Sequence, residues 1–284
     1  MNIENIKSQF PIFSKKINGK SLVYLDSSNS SQKPLNVIKR LDDFYKKEFS
    51  NVGRSIHSLS VNATNKFEET RVSVKNFINA NTKDEIIFTK NATESINLVA
   101  STFGQQHIKK GDEILITELE HHSNYVPWHY LRENKGAVIK FAPINDDGDI
   151  IISELEKLIN SKTKIIAVTH LSNVTGTIVP VKEIIDIAHK KNIPVLVDGC
   201  QSAPHIKIDV KELDCDFYAI SCHKVYGPTG VGILYAKKKW LEKLPPYIGG
   251  GGMINEVKKD KISYAKVPEK YEAGTMPTAE VVAF

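Results

Sequence analysis

An α/β fold is what this 284-residue sequence predicts: a mainly parallel, seven-stranded sheet with helices on both faces. Three observations predict it. Seven short apolar runs alternate with segments whose apolar residues recur at i, i+3 and i+4. Two of the runs, IIAVTH (165–170) and VLVDG (195–199), are apolar at successive positions, as strands are when helices cover both sides of the sheet. Finally, polar residues with chemical potential gather just after the strands, where ligands sit in such sheets.

The strands fall at 86–89, 113–117, 138–143, 164–170, 194–198, 217–221 and 232–236. Helical spacing marks 61–77 ahead of them and 93–103 and 181–191 between them. The last is the clearest, with Val181, Ile184, Ile185 and Ala188 on one face and Lys182, Glu183, Lys190 and Lys191 elsewhere. NDDGD (145–149) lacks the spacing and the closing Glu of an EF-hand and reads as a surface turn. GPTGVG (227–232) is not followed by Lys-Ser/Thr, so it is not a Walker loop. PPYIGGGG (245–252) reads as a flexible loop.

Composition narrows the function classes. The charge of +5 is modest and the lysines are spread along the chain, which argues against nucleic acid as a partner. No apolar stretch approaches the roughly 20 residues of a membrane span, and MNIENIKSQF has no secretory pattern. Cys200, Cys215 and Cys222 form an odd set without CxxC spacing, so no metal site is expected and a reducing cytoplasm is the simplest compartment.

The residues after the strands carry the chemistry. They read TKNATE (89–94), ELEHHSN (118–124), HLSNVTG (170–176), DGCQ (198–201) and SCHK (221–224). Lys224 stands at the inner end of a buried run, where an ammonium is costly. A lysine that can lose its proton forms a Schiff base with an aldehyde, and pyridoxal 5'-phosphate (PLP) is the common biological partner. Asp198 is the candidate acid for the ring nitrogen. Thr93, at a helix start, with Ser221 and His223, suits a phosphate. His122 can stack on the ring, and Gln201 can reach its phenolic oxygen. Singly, each has a plainer role. Asp198, Ser221 and Thr93 can be caps, Cys200 and Cys222 small buried residues, and His121 with His122 a metal pair, although no third ligand is evident. Their joint occurrence at successive strand ends favours the cofactor.

The chain resembles the aminotransferase class V family of fold-type I PLP enzymes, and within it the SUF-type (group II) cysteine desulfurases. The matching text is YLDSSNSSQKP (24–34), RSIHSLS (54–60), NATESINLVA (91–100), ELEHHSNYVPWH (118–129), THLSNVTGT (169–177), VDGCQSAPH (197–205), DCDFYAISCHKVYGPTGVGILY (214–235) and GGGGMI (249–254). The resemblance implies a homodimer. It places residues 24–284 in the large PLP-binding domain and 1–23 in a small domain whose C-terminal part is largely missing. It makes Lys224 the attachment lysine, Asp198 the partner of the pyridinium, His122 the stacking group and Gln201 the contact to the ring oxygen. Thr93, Ser221 and His223 would hold the phosphate, Asn173 would lie near the substrate carboxylate, and Thr275 would reach the neighbouring subunit's phosphate.

The implied activity converts L-cysteine to L-alanine and passes sulfur as a persulfide to an acceptor protein of iron–sulfur cluster assembly. Selenocysteine lyase and a non-catalytic PLP-fold remnant are the alternatives. The sequence departs from the family at DSSN (26–29), Gly53, Ala92, Cys200 and Cys222. The family's persulfide-forming cysteine and its substrate-clamping arginine lie beyond residue 284, so a truncated chain is expected, with none of its three cysteines in the catalytic place.

Overall fold

A computed structural model describes residues 2–53 and 55–284. Arg54, in the RSIHSLS match, and Met1 lie outside the described residues. The central strands are β1 (Ile86–Thr89), β2 (Glu113–Thr117), β3 (Val138–Ala142), β4 (Thr163–Thr169), β5 (Val195–Asp198), β6 (Phe217–Ser221) and β7 (Gly232–Ala236). They form one sheet in the order β1-β7-β6-β5-β4-β2-β3. Strands β6, β5, β4, β2 and β3 pair in parallel, and β7 runs antiparallel to both of its neighbours. The predicted α/β fold with a mainly parallel seven-stranded sheet is therefore the one observed. The third strand ends at Ala142, one residue short of the expected end, the fourth is shifted one residue toward the N-terminus, and the fifth starts after Pro194.

Side-chain alternation divides the sheet between two cores. Ile166, Val168, Val195, Val197, Tyr218 and Ile220 face one way, against α-helices Ser58–Phe77 and Val181–His189. Ile165, Ala167, Leu196, Phe217 and Ala219 face the other, against helix Ala92–His107 and Trp128. β3, at the sheet's edge, is the exception: Val138 and Phe141 stay exposed.

The strand register aligns the polar ends. Thr169 lies beside Asp198, and Gly232 lies between Thr89 and Ser221. A Cβ on Gly232 would come within 2.3 Å of the Asn91 carbonyl carbon. Only glycine lets the chain after β1 cross this close to β7, which brings the next helix onto the sheet end.

A buried ion pair ties the C-terminal segment to this frame. Arg71, from helix Ser58–Phe77, is 1% exposed and binds Glu272 through both terminal nitrogens at 2.8 Å. Arg71 also donates to the Ile86 carbonyl, and Glu272 accepts from the Phe88 N–H, both at 2.7 Å. Beyond it, helix Thr278–Ala283 packs on the same layer through Ala279, Phe44 and Ala63.

Candidate active site

The ends of β1, β2, β4, β5 and β6 converge on a cavity of about 270 Å³. Helix Ala92–His107 begins there. Asn91 caps it, its side-chain oxygen accepting from the Glu94 N–H at 2.9 Å. The Ala92 N–H donates to Ser221 Oγ at 2.9 Å. Thr93 shares a 2.7 Å hydrogen bond with Ser123. Backbone N–H groups and hydroxyls at a helix start form a natural seat for a phosphate.

Lys224 is not on the strand itself. Past Ser221 the chain tightens into a 3-10 turn, Cys222–Lys224, and the lysine is half-buried with its side chain among the cavity residues. This relieves the burial cost that its position in the sequence suggested. Same-face placement of Cys222 and Lys224, expected for a strand, does not hold at three residues per turn. Cys222 points into the core at 0% exposure.

Asp198, 4% exposed, ends β5 at the cavity wall and accepts from the Cys200 N–H at 3.0 Å. Among the described residues it has no ion-pair partner. A buried carboxylate without a cation is costly, so the cavity is built to receive a positive group at this point. Gln201 and Asn173 also line the cavity, and Gln201 Nε2 donates to the Ser28 carbonyl at 2.6 Å. His223 lines it too, its Nδ1 lying 3.1 Å from Ser30 Oγ. Burial, then Lys224 and Lys33, lower the proton affinity of His223.

Two expected residues are elsewhere. His122 is not on the cavity wall; His121 is. The reason is local. His121 caps the 3-10 turn His122–Asn124, accepting from the Ser123 N–H at 3.1 Å, and the turn carries His122 away. Burial lowers the proton affinity of His121, with Lys224 adding to the effect and Asp198 opposing it. Thr275 lines a separate cavity of about 160 Å³ with Phe88, Tyr247 and Tyr271. It is exposed and takes no part in its own chain's site.

Sequence reasoning missed Glu120. Its carboxylate accepts from Thr117 Oγ1 and Asn124 Nδ2 at 2.6 Å and from the Thr169 N–H at 3.0 Å. Burial pushes it up to about 8, against those donors, and nearby Asp198 adds to the rise. The signal was an acid directly before the two histidines, in a segment that returns to the sheet. His170, by contrast, is a satisfied core residue bonded to Tyr218 at 2.9 Å.

With this geometry in place, comparison with known proteins is informative. The aminotransferase class-V description matches residues 23–284. The chain belongs to that family. It is 50% identical to a probable cysteine desulfurase of Halalkalibacterium halodurans, covering 97% of this chain and 68% of that protein. It is 46% identical to a probable cysteine desulfurase of Mycolicibacterium paratuberculosis, covering 99% of this chain but only 41% of that one. Among solved structures, a cysteine desulfurase from Thermococcus onnurineus superimposes with a TM-score of 0.94 at 38% identity, covering all of this chain and 69% of its own. The Escherichia coli cysteine desulfurase CsdA gives 0.90 at 37%, with 100% and 70% covered. The residues of this class-V cavity fit PLP: a lone buried carboxylate, an amine, and a helix start with hydroxyls.

Proposed function

We propose that the chain is a PLP-dependent cysteine desulfurase acting on L-cysteine. The observation that carries the reading is Asp198 and Lys224 in one cavity, beside the helix start at Ala92, in a chain similar to cysteine desulfurases. Bound there, PLP supplies an electron sink for the electrons released at the substrate's α-carbon. Lys224 would hold it covalently. Asp198 would keep the ring nitrogen protonated by opposite charge. Thr93, Ser221 and His223 would hold the phosphate, and Gln201 the ring oxygen.

His121, rather than His122, takes the stacking place. Burial lowers its proton affinity, which favours the neutral imidazole that can accept a proton from the substrate. Asn173, which lines the cavity, suits the substrate carboxylate.

The reading extends to a homodimer in which Thr275 reaches the neighbouring cavity. Its exposure and its place in a separate cavity support this. It also extends to a SUF-type role in the cytoplasm, with sulfur leaving as a persulfide to an acceptor protein of iron–sulfur cluster assembly. No helix among the described residues is long and apolar enough to cross a membrane.

None of the three cysteines here suits sulfur transfer. Burial raises Cys215 and Cys222, and burial together with Asp198 raises Cys200 well above an ordinary thiol, so none is a ready thiolate. The 284-residue chain is therefore expected to take up PLP and respond to L-cysteine with a spectral change, while no persulfide accumulates on these thiols. Absorption spectroscopy with L-cysteine, L-selenocysteine and L-alanine, followed by mass spectrometry, tests this. A spectrum blind to both L-cysteine and L-selenocysteine refutes the function. Many turnovers of alanine with a persulfide on Cys200, Cys215 or Cys222 refute the assignment of the thiols.

A further inference from the structure

The stretch from Tyr24 to Lys33 has almost no regular structure, yet it is laced to the loop that carries Lys224. The Ser31 N–H and Oγ donate to the His223 carbonyl at 3.1 and 3.0 Å. The Tyr226 N–H donates back to Ser31 Oγ at 2.9 Å. Tyr226 has a positive φ of 62°, uncommon for a non-glycine residue, so the loop needs such support. Tyr24 holds the Ser30 carbonyl at 2.6 Å, and Asn29 closes the cavity wall.

Lys33 stands out in this lacing. Its ammonium is half-buried and, among the described residues, has no carboxylate within ion-pair distance. It donates to the Ser31 and His223 carbonyls, both at 2.7 Å. A carbonyl has two lone pairs. That of His223 receives Lys33 and both Ser31 donors, with Ser30 Oγ at 3.4 Å beside them. This oxygen belongs to the peptide bond that leads into Lys224. A half-buried cation is a costly means of tying down a loop that hydroxyls and N–H groups already hold. Its added effect is to fix the plane of this one peptide with a charge-assisted bond.

We propose that Lys33 is a positioning residue for Lys224: by clamping the His223–Lys224 peptide it sets the approach of the Lys224 amine to an aldehyde in the cavity. The inference rests on the reading of Lys224 as the attachment point. In the attachment step the Lys224 nitrogen forms a bond to the aldehyde carbon, and the aldehyde oxygen leaves as water. Lys33 takes no part in that bond change and acts only on its geometry.

The test uses the 284-residue chain with PLP as the probe. Samples are reduced with borohydride at intervals, and mass spectrometry measures the adduct on Lys224. Equilibrium dialysis measures total bound PLP, and thermal unfolding reports the fold. Lys33→Met is expected to slow adduct formation about tenfold, the scale set by one lost charge-assisted hydrogen bond. Total bound PLP and the melting temperature should stay near wild type, and Lys33→Arg should recover most of the rate. Wild-type attachment in Lys33→Met overturns the proposal. So does a parallel loss of adduct, bound PLP and melting temperature, which would mark Lys33 as a structural tie alone. If Lys33→Met does not fold, Ser31→Ala removes a second donor from the same carbonyl, and attachment at the wild-type rate in that variant overturns the proposal. An unmodified Lys224 in the wild-type chain refutes the site reading itself, and the proposal with it.

Discussion

Replacing Arg71 with methionine probes the pair that fastens the C-terminal segment to the sheet. Methionine keeps much of the packing against Phe67 and Phe88, whose rings lie 5.3 and 4.7 Å from the guanidinium. What is lost is the two-pronged bond to Glu272, the bond to the Ile86 carbonyl and the Nε bond to Glu68 at 3.1 Å. Glu272, 8% exposed, is left with the Phe88 N–H as its remaining donor. Breaking one side of a buried pair costs roughly 3–5 kcal/mol, mostly for the stranded charge. For a chain of this size that is a fall of roughly 10 °C in melting temperature.

The pH dependence supplies a second arm. Burial already raises the Glu272 carboxyl, with Arg71 opposing, and removing Arg71 raises it further. A carboxyl whose folded value is raised binds its proton more tightly in the folded state. Its stability contribution is present at low pH and lost as pH rises through the folded value. The deficit of Arg71→Met should therefore grow with pH. Arg71→Met/Glu272→Gln should regain most of the loss, because the amide keeps an acceptor for Phe88 without a charge. Urea unfolding at several pH values measures all of this. A single variant within about 1 kcal/mol of wild type at neutral pH, or a double variant no more stable than the single, refutes the reasoning.

Other outcomes follow from the site. Lys224→Ala should keep the fold and lose every borohydride-reducible PLP adduct, and an adduct on another lysine of that variant would reassign the attachment. Asp198→Asn should still bind PLP but slow chemistry at the substrate's α-carbon by well over tenfold, the scale of an interaction worth more than about 1.4 kcal/mol; single-turnover spectroscopy with L-cysteine reads it, and unchanged rates would sink the role. His121→Ala should alter the spectrum of bound PLP while His122→Ala leaves it nearly unchanged, and the reverse pattern would restore His122 to the ring. Glu120, raised to about 8, should cost stability as pH climbs from the ordinary carboxyl range to that value. Glu120→Gln should flatten that slope in thermal unfolding, and an unchanged slope would mean that the carboxylate is not confined as described.

The sheet was legible because its inner strands are buried on both faces, so each reads as an unbroken apolar run. Boundaries slipped by a residue where the pattern itself is ambiguous, as at Pro143 and His170, which are apolar or buried without belonging to the ladder. Lys224, Asp198, Ser221 and Thr93 were legible because strand ends concentrate chemistry. The two histidines were not separable, since adjacent side chains in an irregular turn follow no period. Arg71 and Glu120 were invisible for another reason. A charged residue in a helix or loop is normally solvated, and only the fold shows that Glu272 or Asn124 waits to meet it. The role of 24–33 was hidden as well, because its bonds go to a loop almost two hundred residues away.

That separation shapes how the molecule comes to exist. On the ribosome, Ser31 and Lys33 emerge long before His223, and β1, at the sheet's edge, must wait for its neighbour β7. Pairings this distant in sequence are slow to form and leave early segments unpartnered in the meantime. The N-terminal stretch can dock only after the lysine loop has been synthesised and the reversed strand has closed behind it. Competence to capture PLP therefore waits until the lysine loop and the reversed strand have both been synthesised and the early segment has docked on them. A free aldehyde meeting an unfinished chain finds ordinary exposed lysines, and the selective one appears only when the two remote segments have joined.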